Sequence, residues 1–296
     1  MHRFKRFSKS AVSTENIVCI DLLTETLGPS ELTLPDMTQD DLNELRRAAQ
    51  SLEHPSLAAR LTMLAGKPVE LIGNALPAPA SQAIATATTT ALEVALQAAL
   101  RTIRRQPRAA SRILHKALAT ASGAAGGAFG LATLPIELPI STIVMLRSIA
   151  DIARSEGEDM SDPETALACV QVFALGSRPG TANPSESGYF VVRGMLAKSV
   201  THAARFIAER GVLEKGGPLL VRFIAQVASR FGTVVTQKLA AQAIPIIGAV
   251  GGAAVNYAFI EHFQEVARGH FAVRRLERVY GKDPVRQEYE RFAARG

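Results

Sequence analysis

Two long stretches without a charged residue constrain this chain more than any other feature. One runs from Ala117 to Ile136 and the other from Leu239 to Ile260. A helix that crosses a bilayer needs about 20 apolar residues, and small residues four positions apart let a second helix approach backbone to backbone. We therefore predict two apolar helices packed as a pair. The glycines expected at their contact are Gly123, Gly126, Gly127, Gly130, Gly248, Gly251 and Gly252.

The sequence does not decide whether these stretches lie in a membrane or in a protein core. Ala, Gly, Ser and Thr make up much of the first stretch, so it is less apolar than a typical membrane span, and Glu137 follows it directly. Crossing a bilayer, shallow or hairpin insertion, and burial in a soluble core are all compatible with this composition. The low apolarity of the first stretch argues against a bilayer crossing, whereas its length permits one. Neither property decides between the three environments.

The fold class follows from the spacing of apolar residues elsewhere. Period-two alternation, which is typical of strands, is scarce, and aromatic residues make up only 5% of the chain. We predict an all-α, multi-helix bundle with a disordered or extended N-terminal tail. The expected boundaries are a tail over 1–36, a helical domain over 37–281 with a loop at 176–188, and a C-terminal extension over 282–296.

Proline, glycine and capping residues predict where individual helices begin and end. Pro139 is expected to open a helix that runs to Arg154, and Ser161 to cap the next one through a capping box with Glu164. Further helices are predicted at 38–52, 55–64, 80–103, 189–210 and 218–243. The break before the last of these follows from Gly216-Gly217-Pro218.

A basic stripe precedes the first uncharged stretch. Its members fall three or four residues apart, which places them on one side of a helix, and no acidic residue occurs between Glu93 and Glu137. A solvated face and a surface held against anionic lipid headgroups both fit this pattern. Nucleic acid is disfavoured because no aromatic residues interleave to stack on bases. The stripe comprises Arg101, Arg104, Arg105, Arg108, Arg112 and Lys116.

A set of polar residues is the candidate for chemistry. Asn256, Phe263, His270 and Arg274 recur on one side of a long helix and could face Glu137 and Asp151. We favour a polar clasp that fixes helix packing, because buried charges need partners. Acid–base catalysis by His270 with a carboxylate is the sharper alternative. His262, Glu265 and His270 are spaced poorly for a metal, and we predict neither metal nor cofactor.

Several motifs together resemble the EcsC protein family. They are Leu134-Pro-Ile-Glu-Leu-Pro139, the stretch Leu146–Ala153 with Gly157, the stretch Ile244–Gly248 with Gly252 and Asn256, and Ala267–Leu276. The resemblance covers about 40–281, with Glu137 where the family pattern leads us to expect Asp. It implies a bacterial hydrophobic protein without an established activity or known catalytic residues. A link to transport or envelope processes, and an ABC transporter as partner, follow only by family analogy.

Taken together, the residues favour a non-enzymatic, membrane-associated helical protein whose partner is membrane lipid. We expect it on the cytoplasmic side of the cell membrane, peripheral or partly inserted. A signal peptide is not expected, because Glu15 and Asp21 bracket a stretch too short and polar for its apolar middle. Two alternatives remain: a soluble helical module that binds a protein or an apolar ligand, and a hydrolase-like enzyme with a buried Glu/Asp/His site.

Overall fold

The computed structural model describes seven parts of the chain: residues 36–53, 57–66, 77–102, 134–177, 188–210, 217–242 and 248–295. The chain divides between Met37 and Thr38, and all of the helices below lie in the unit Thr38–Gly296. The predicted N-terminal tail lies outside the described residues except for Asp36.

About 90% of the described residues are helical and none of them forms a strand, which confirms the predicted all-α bundle. The helices are α1 (Gln39–Glu53), α2 (Leu57–Ala65), α3 (Ala78–Thr102), α4 (Leu134–Ser155), α5 (Pro163–Leu175), α6 (Gly188–Arg210), α7 (Pro218–Gln242), α8 (Gly248–Tyr280) and α9 (Lys282–Ala293).

Side-chain caps fix the starts of α1 and α5. At α1, Thr38 Oγ1 accepts a hydrogen bond from the backbone N–H of Asp41 at 3.2 Å. At α5, the capping residue is Asp162, whose Oδ1 accepts from the N–H of Glu164 at 2.8 Å, and Pro163 follows it. The prediction of Ser161 as the cap was therefore wrong by one residue, because Ser161 instead bonds Asp159. An extended Asp before Pro is well suited to a helix start.

Helix α4 begins earlier than its prolines suggest. It starts at Leu134 and contains Pro139, so the prediction of a start at Pro139 was wrong. Pro139 is the sixth residue of this helix, where proline removes a backbone hydrogen bond to Pro135 and its ring crowds that carbonyl, at a cost of about 3 kcal/mol. Burial of Leu134 and Leu138, which are 4% and 1% exposed, offsets that loss.

Helix α8 is the centre of the bundle and contacts α1, α2, α4, α5, α7 and α9. Its core contact is a group of four phenylalanine rings from three helices. Phe173 of α5 lies with its ring centre 4.8 Å from Phe231 of α7 and 5.2 Å from Phe263 of α8, and Phe259 packs 5.2 Å from Phe263. Tilted and edge-on aromatic pairs of this kind stabilise a core beyond simple burial. This cluster fixes how α5, α7 and α8 meet.

The structure corrects the boundaries of the second uncharged stretch. Its beginning forms the end of α7, residues 243–247 lie outside the described residues, and the rest forms the start of α8. It is therefore shared between two helices. The first stretch lies outside the described residues up to 133, and its last residues open α4. Four of the predicted contact glycines therefore lie outside the described residues, namely Gly123, Gly126, Gly127 and Gly130.

Two other helices are long and apolar enough to cross a membrane by length and composition, namely α3 over Ala78–Leu100 and α7 over its whole length. Buried core helices pass the same criterion, and 50% and 39% of the residues in their apolar windows are buried. The exposed residues of α3 include the polar Gln82, Thr86, Glu93 and Gln97, so α3 has the amphipathic pattern of a surface helix that covers a core. The exposed residues of α7 are mixed, with Leu219 and Val221 beside Arg222.

The last helix, α9, lies in the span predicted as a C-terminal extension and packs on the first. Tyr289 donates a hydrogen bond from its hydroxyl to Glu53 Oε1 at 2.9 Å, and the guanidinium of Arg46 lies 4.9 Å from the ring centre of Phe292. The two ends of the helical unit are thus held against each other.

Candidate functional site

Glu137, the first of the predicted site residues, forms a buried ion pair. It lies in the first turn of α4, and its Oε1 accepts a hydrogen bond from Lys238 Nζ of α7 at 2.8 Å. The two side chains are only 8% and 3% exposed. The same ammonium lies 5.1 Å from the ring centre of Phe259 on α8, within cation–π range. Three helices are therefore tied together at this point.

This ion pair also marks where the two uncharged stretches join the bundle. Glu137 directly follows the first stretch, and Lys238 directly precedes the second. Because their side-chain atoms are 2.8 Å apart, the end of the first stretch and the beginning of the second lie close together. Lys238 was not among the predicted site residues, although it is the last charge before a long uncharged run, which marks it as a candidate partner of Glu137.

Asp151 does not join this pair. It lies near the end of α4 and accepts a 2.9 Å hydrogen bond from Arg154 on its own helix, where both side chains are partly exposed. A pair three residues apart on a helix surface contributes little to stability. Asp151 therefore has a local partner on its own helix.

Asn256 and His270 are both fully buried on α8. His270 Nδ1 shares a 2.9 Å hydrogen bond with the hydroxyl of Tyr189 on α6, while its Nε2 has no hydrogen-bond partner among the described residues. Burial, with added repulsion from Arg193 and Arg274, lowers the pKa of His270 well below 6.5. The ring is therefore neutral at physiological pH.

Tyr189 extends this contact to the helix surface. Arg193 donates from Nη1 to the Tyr189 hydroxyl at 3.3 Å, and it binds Glu277 of α8 through two hydrogen bonds of 2.7 and 2.6 Å. Burial raises the pKa of Tyr189 to about 12. A phenol with this pKa and a neutral imidazole are stable as a hydrogen-bonded pair, and neither is prepared to exchange protons near pH 7.

Arg274 binds a carboxylate that the sequence did not single out. Its Nε and Nη2 donate to Glu158, in the turn after α4, at 2.8 and 2.9 Å, and Arg278 donates to the same carboxylate. Burial disfavours the charged form of Glu158, but hydrogen bonds and positive charge from Arg274 and Arg278 outweigh it and lower the pKa of Glu158. No pattern in the sequence marks Glu158, because it lies in a turn and its partners are more than a hundred residues away.

The predicted polar set is therefore distributed over separate contacts. Glu137 binds Lys238, Asp151 binds Arg154, His270 binds Tyr189 and Arg274 binds Glu158. Three of these contacts join α4 or α8 to another part of the chain, whereas the Asp151–Arg154 pair lies within α4. The three joining contacts hold neighbouring elements together through polar groups, which is the chemistry of a packing clasp.

The histidines considered as metal ligands also point to different partners. His262 bonds the backbone carbonyl of Gly176 through Nε2 at 2.8 Å, and burial lowers the pKa of His262 to about 4. Glu265 accepts two 2.9 Å hydrogen bonds from Arg60 of α2. Within the described ranges, no group of three His, Cys, Asp or Glu side chains could hold a metal ion.

The remaining predicted residues lie outside the described part of the chain or have undescribed side chains. Of the basic stripe, Arg101 lies in α3 without a described side chain, and Arg104, Arg105, Arg108, Arg112 and Lys116 lie outside the described residues. Gly248 and Gly251 belong to the first turn of α8, and Gly252 is buried there. Their predicted roles in lipid contact and helix packing stay predictions.

One comparison with known proteins gives a match. The family model described as the EcsC protein family matches residues 39–276, from the start of α1 to the last turn of α8. No curated protein and no solved structure matches the chain.

Proposed function

Because the chain belongs to the EcsC protein family, whose shared region includes the end of the bundle at Glu137 and Lys238, we propose that it is a membrane-associated protein that docks by this end. The single observation behind the proposal is that the end of the first uncharged stretch and the beginning of the second meet beside the Glu137–Lys238 pair. Two apolar segments at one end of a polar body form a membrane-facing surface, whereas segments at opposite ends would not.

Exposed apolar side chains at the same end support the proposal. Ile136 and Ile140 flank Glu137 within one helical turn and are 70% and 48% exposed. Tyr257, two residues before the Phe259 ring that contacts Lys238, is 47% exposed. Large apolar side chains gain about 25 cal/mol for each Å² removed from water, and tyrosine favours the membrane interface. The rim around the attachment points would therefore be stabilised by contact with lipid.

Docking fits the structure of α3 and α7 better than spanning by these two helices. The outer face of α3 carries Glu93, and a charged side chain at the centre of a bilayer costs about 3 kcal/mol or more. In α7, 39% of the apolar window is already buried in the bundle. These helices are therefore assigned to the body of the protein. Any insertion is therefore proposed for the first uncharged stretch, because described residues of the second, such as Leu239, Val255 and Phe259, are buried in the bundle.

The basic stripe gives the docking its lipid preference in this proposal. It begins at Arg101 near the end of α3 and leads into the first uncharged stretch. Each basic residue near an anionic bilayer surface contributes about 1 kcal/mol, and the cytoplasmic leaflet carries such lipids. We therefore place the protein at the cytoplasmic face. An ABC transporter in the same membrane is a proposed partner by family analogy alone, and crosslinking in native membranes would test it.

Flotation with vesicles tests the proposal directly. Purified protein is expected to float with vesicles that contain anionic lipid, and charge reversal of Arg104, Arg108 and Arg112 to Glu should abolish most of that binding. The matched control reverses Arg205, Arg286 and Arg291, which lie on exposed faces of α6 and α9. It changes the net charge equally and should float like the wild type. If the protein stays in the soluble fraction with both anionic and neutral vesicles, the proposal is refuted.

The apolar rim is tested separately. Changing Ile136 and Ile140 to Ser should reduce flotation with neutral as well as anionic vesicles, because the loss is of apolar contact. The control changes Val221 and Val279 to Ser, since both are 49% exposed and lie at the far ends of α7 and α8. Equal loss in both double variants would show that the effect is not specific to the proposed end.

A further inference from the structure

A cavity of about 350 Å³ lies between α1 and α8. Each helix contributes an acid and, three residues later, an arginine: Glu44 with Arg47 on α1 and Glu265 with Arg268 on α8. Residues three apart share a helix side, so both charges of each pair face the cavity. Glu156, after α4, completes the charged lining.

Negative charge is in excess at one end of the cavity. Three carboxylates contact the guanidinium of Arg275 there. Arg275 donates to Glu44 at 2.6 Å and to Glu156 at 3.1 Å, and it contacts Asp41 at 3.5 Å. Helices α1 and α8 run antiparallel, since Asp41 also meets Tyr280 while the later residues of α1 approach Gly269. Glu44 and Glu156 therefore mark the end of the cavity nearer the end of α8.

Hydrogen-bond donors are available along the rest of the cavity. Arg47 forms no ion pair with any residue that the structure describes, and Arg268 has only a 3.5 Å contact with Glu261. Well-formed charge-assisted hydrogen bonds measure about 2.7–2.9 Å, so this contact is weak. Glu265, by contrast, already accepts two 2.9 Å bonds from Arg60. The two arginines can therefore donate to an anionic group without losing a strong partner.

The surface between these charged groups is formed by small residues. Ala48, Gly269 and Ala272 line it, and Gly269 is tightly placed, because a Cβ there would come within 2.7 Å of Ser51 Oγ. Small side chains therefore let the two helices touch along the floor of the cavity. They also give the middle of the cavity an apolar lining suited to a short hydrocarbon chain.

We propose that this cavity binds a small zwitterion with a short aliphatic linker. Its ammonium group lies toward Glu44 and Glu156, and its carboxylate accepts hydrogen bonds from Arg47 and Arg268. The proposal is independent of membrane docking, because Gly269 lies twelve residues along α8 from Tyr257, about 18 Å at the helical rise. Neither proposal fails if the other does.

Three matched probes test the charge pattern. 5-Aminopentanoate carries both charges, pentanoate only the carboxylate and pentylamine only the ammonium, on chains of the same length. Isothermal titration of the full chain should give millimolar or tighter binding of 5-aminopentanoate and binding at least about tenfold weaker for the other two. No binding of 5-aminopentanoate, or equal binding of all three probes, would overturn the proposal.

Two variants on α1 locate the site. Arg47→Gln removes a donor that lines the cavity and should weaken 5-aminopentanoate binding about tenfold. Arg46→Gln removes the neighbouring exposed charge, which lies over Phe292 outside the cavity, and should leave binding unchanged. Far-UV circular dichroism checks that both variants are folded. Unchanged binding in the Arg47 variant, or equal weakening in both, would place the zwitterion elsewhere and refute the assignment.

Discussion

The buried pair of Glu137 and Lys238 should be worth more to stability than any exposed ion pair of this protein. Its atoms are 2.8 Å apart and its side chains 8% and 3% exposed. With an effective dielectric constant of about 20, attraction at this distance is about 6 kcal/mol, and desolvation offsets part of it. Removal of one partner from a buried pair costs about 3–5 kcal/mol, because the other charge stays buried alone.

The two single variants should differ in cost. Lys238→Met leaves the Glu137 carboxylate without its cation and should lower the free energy of unfolding by about 3–5 kcal/mol. Glu137→Met leaves the ammonium over the ring of Phe259, 5.1 Å from its centre. That contact is worth up to about 2 kcal/mol when desolvated, so this variant should lose less. The double variant, with two apolar side chains, should lie within about 1 kcal/mol of the wild type.

Urea unfolding followed by far-UV circular dichroism measures the cycle, since the chain has no tryptophan to report by fluorescence. A parallel cycle on Arg291 and Glu288, an exposed pair on α9, serves as the control and should show no resolvable coupling. If the losses from the two single Met variants add in the double variant to within about 0.5 kcal/mol, the residues do not act as a pair. The argument that this contact ties α4 to α7 would then be refuted.

Three further predictions concern pH and packing. Glu158→Gln should destabilise the protein at pH 7. The loss of stability relative to the wild type should shrink as the pH falls below about 4.5, because the pKa of Glu158 is lowered in the folded protein and its stabilising charge is lost on acidification. Urea midpoints across pH 7 to 3 measure this. The wild type should lose stability as the pH falls from 7 to 5.5, because the unfolded chain protonates His270 near pH 6.5 while the folded chain keeps it neutral. An equally steep pH dependence of stability in His270→Gln would contradict this. Gly269→Ala should destabilise the protein by about 1–3 kcal/mol, because the added methyl group contacts α1. Gly194→Ala adds a methyl group that meets nothing within 4 Å and should stabilise the protein by about 0.5–1 kcal/mol. Thermal melts that rank the two variants in the reverse order would refute the close packing of Gly269 against α1.

Much of the helix pattern could be predicted from the sequence, and its errors have simple causes. The helices at 38–52, 80–103, 189–210 and 218–243 agree with the structure to within a few residues. The start of α4 was misplaced because Pro139 was taken as a boundary, whereas burial of Leu134 and Leu138 holds the preceding turn in the helix despite the proline. The cap of α5 was misplaced by one residue because Ser161 and Asp162 are both good capping residues.

The candidate site was less predictable than the helices. Spacing correctly places Asn256, Phe263 and His270 on one side of a continuous α8, and all three are buried. It could not supply Tyr189 or Glu158 as partners, because each comes from a distant part of the chain. The same limit applies to the cavity, whose charged walls come from the first and the eighth helix.

The sequence by itself determined that the chain is helical, where most of its helices break, and that two uncharged stretches flank the central part of the bundle. These properties depend on neighbours along the chain, since propensity, capping and periodicity act over a few residues. Only the tertiary structure decided that Glu137 meets Lys238, which brings the end of the first stretch close to the beginning of the second. Such pairing depends on the rotation and crossing of whole helices, which is set by the packing of the buried core and is not encoded in any local pattern.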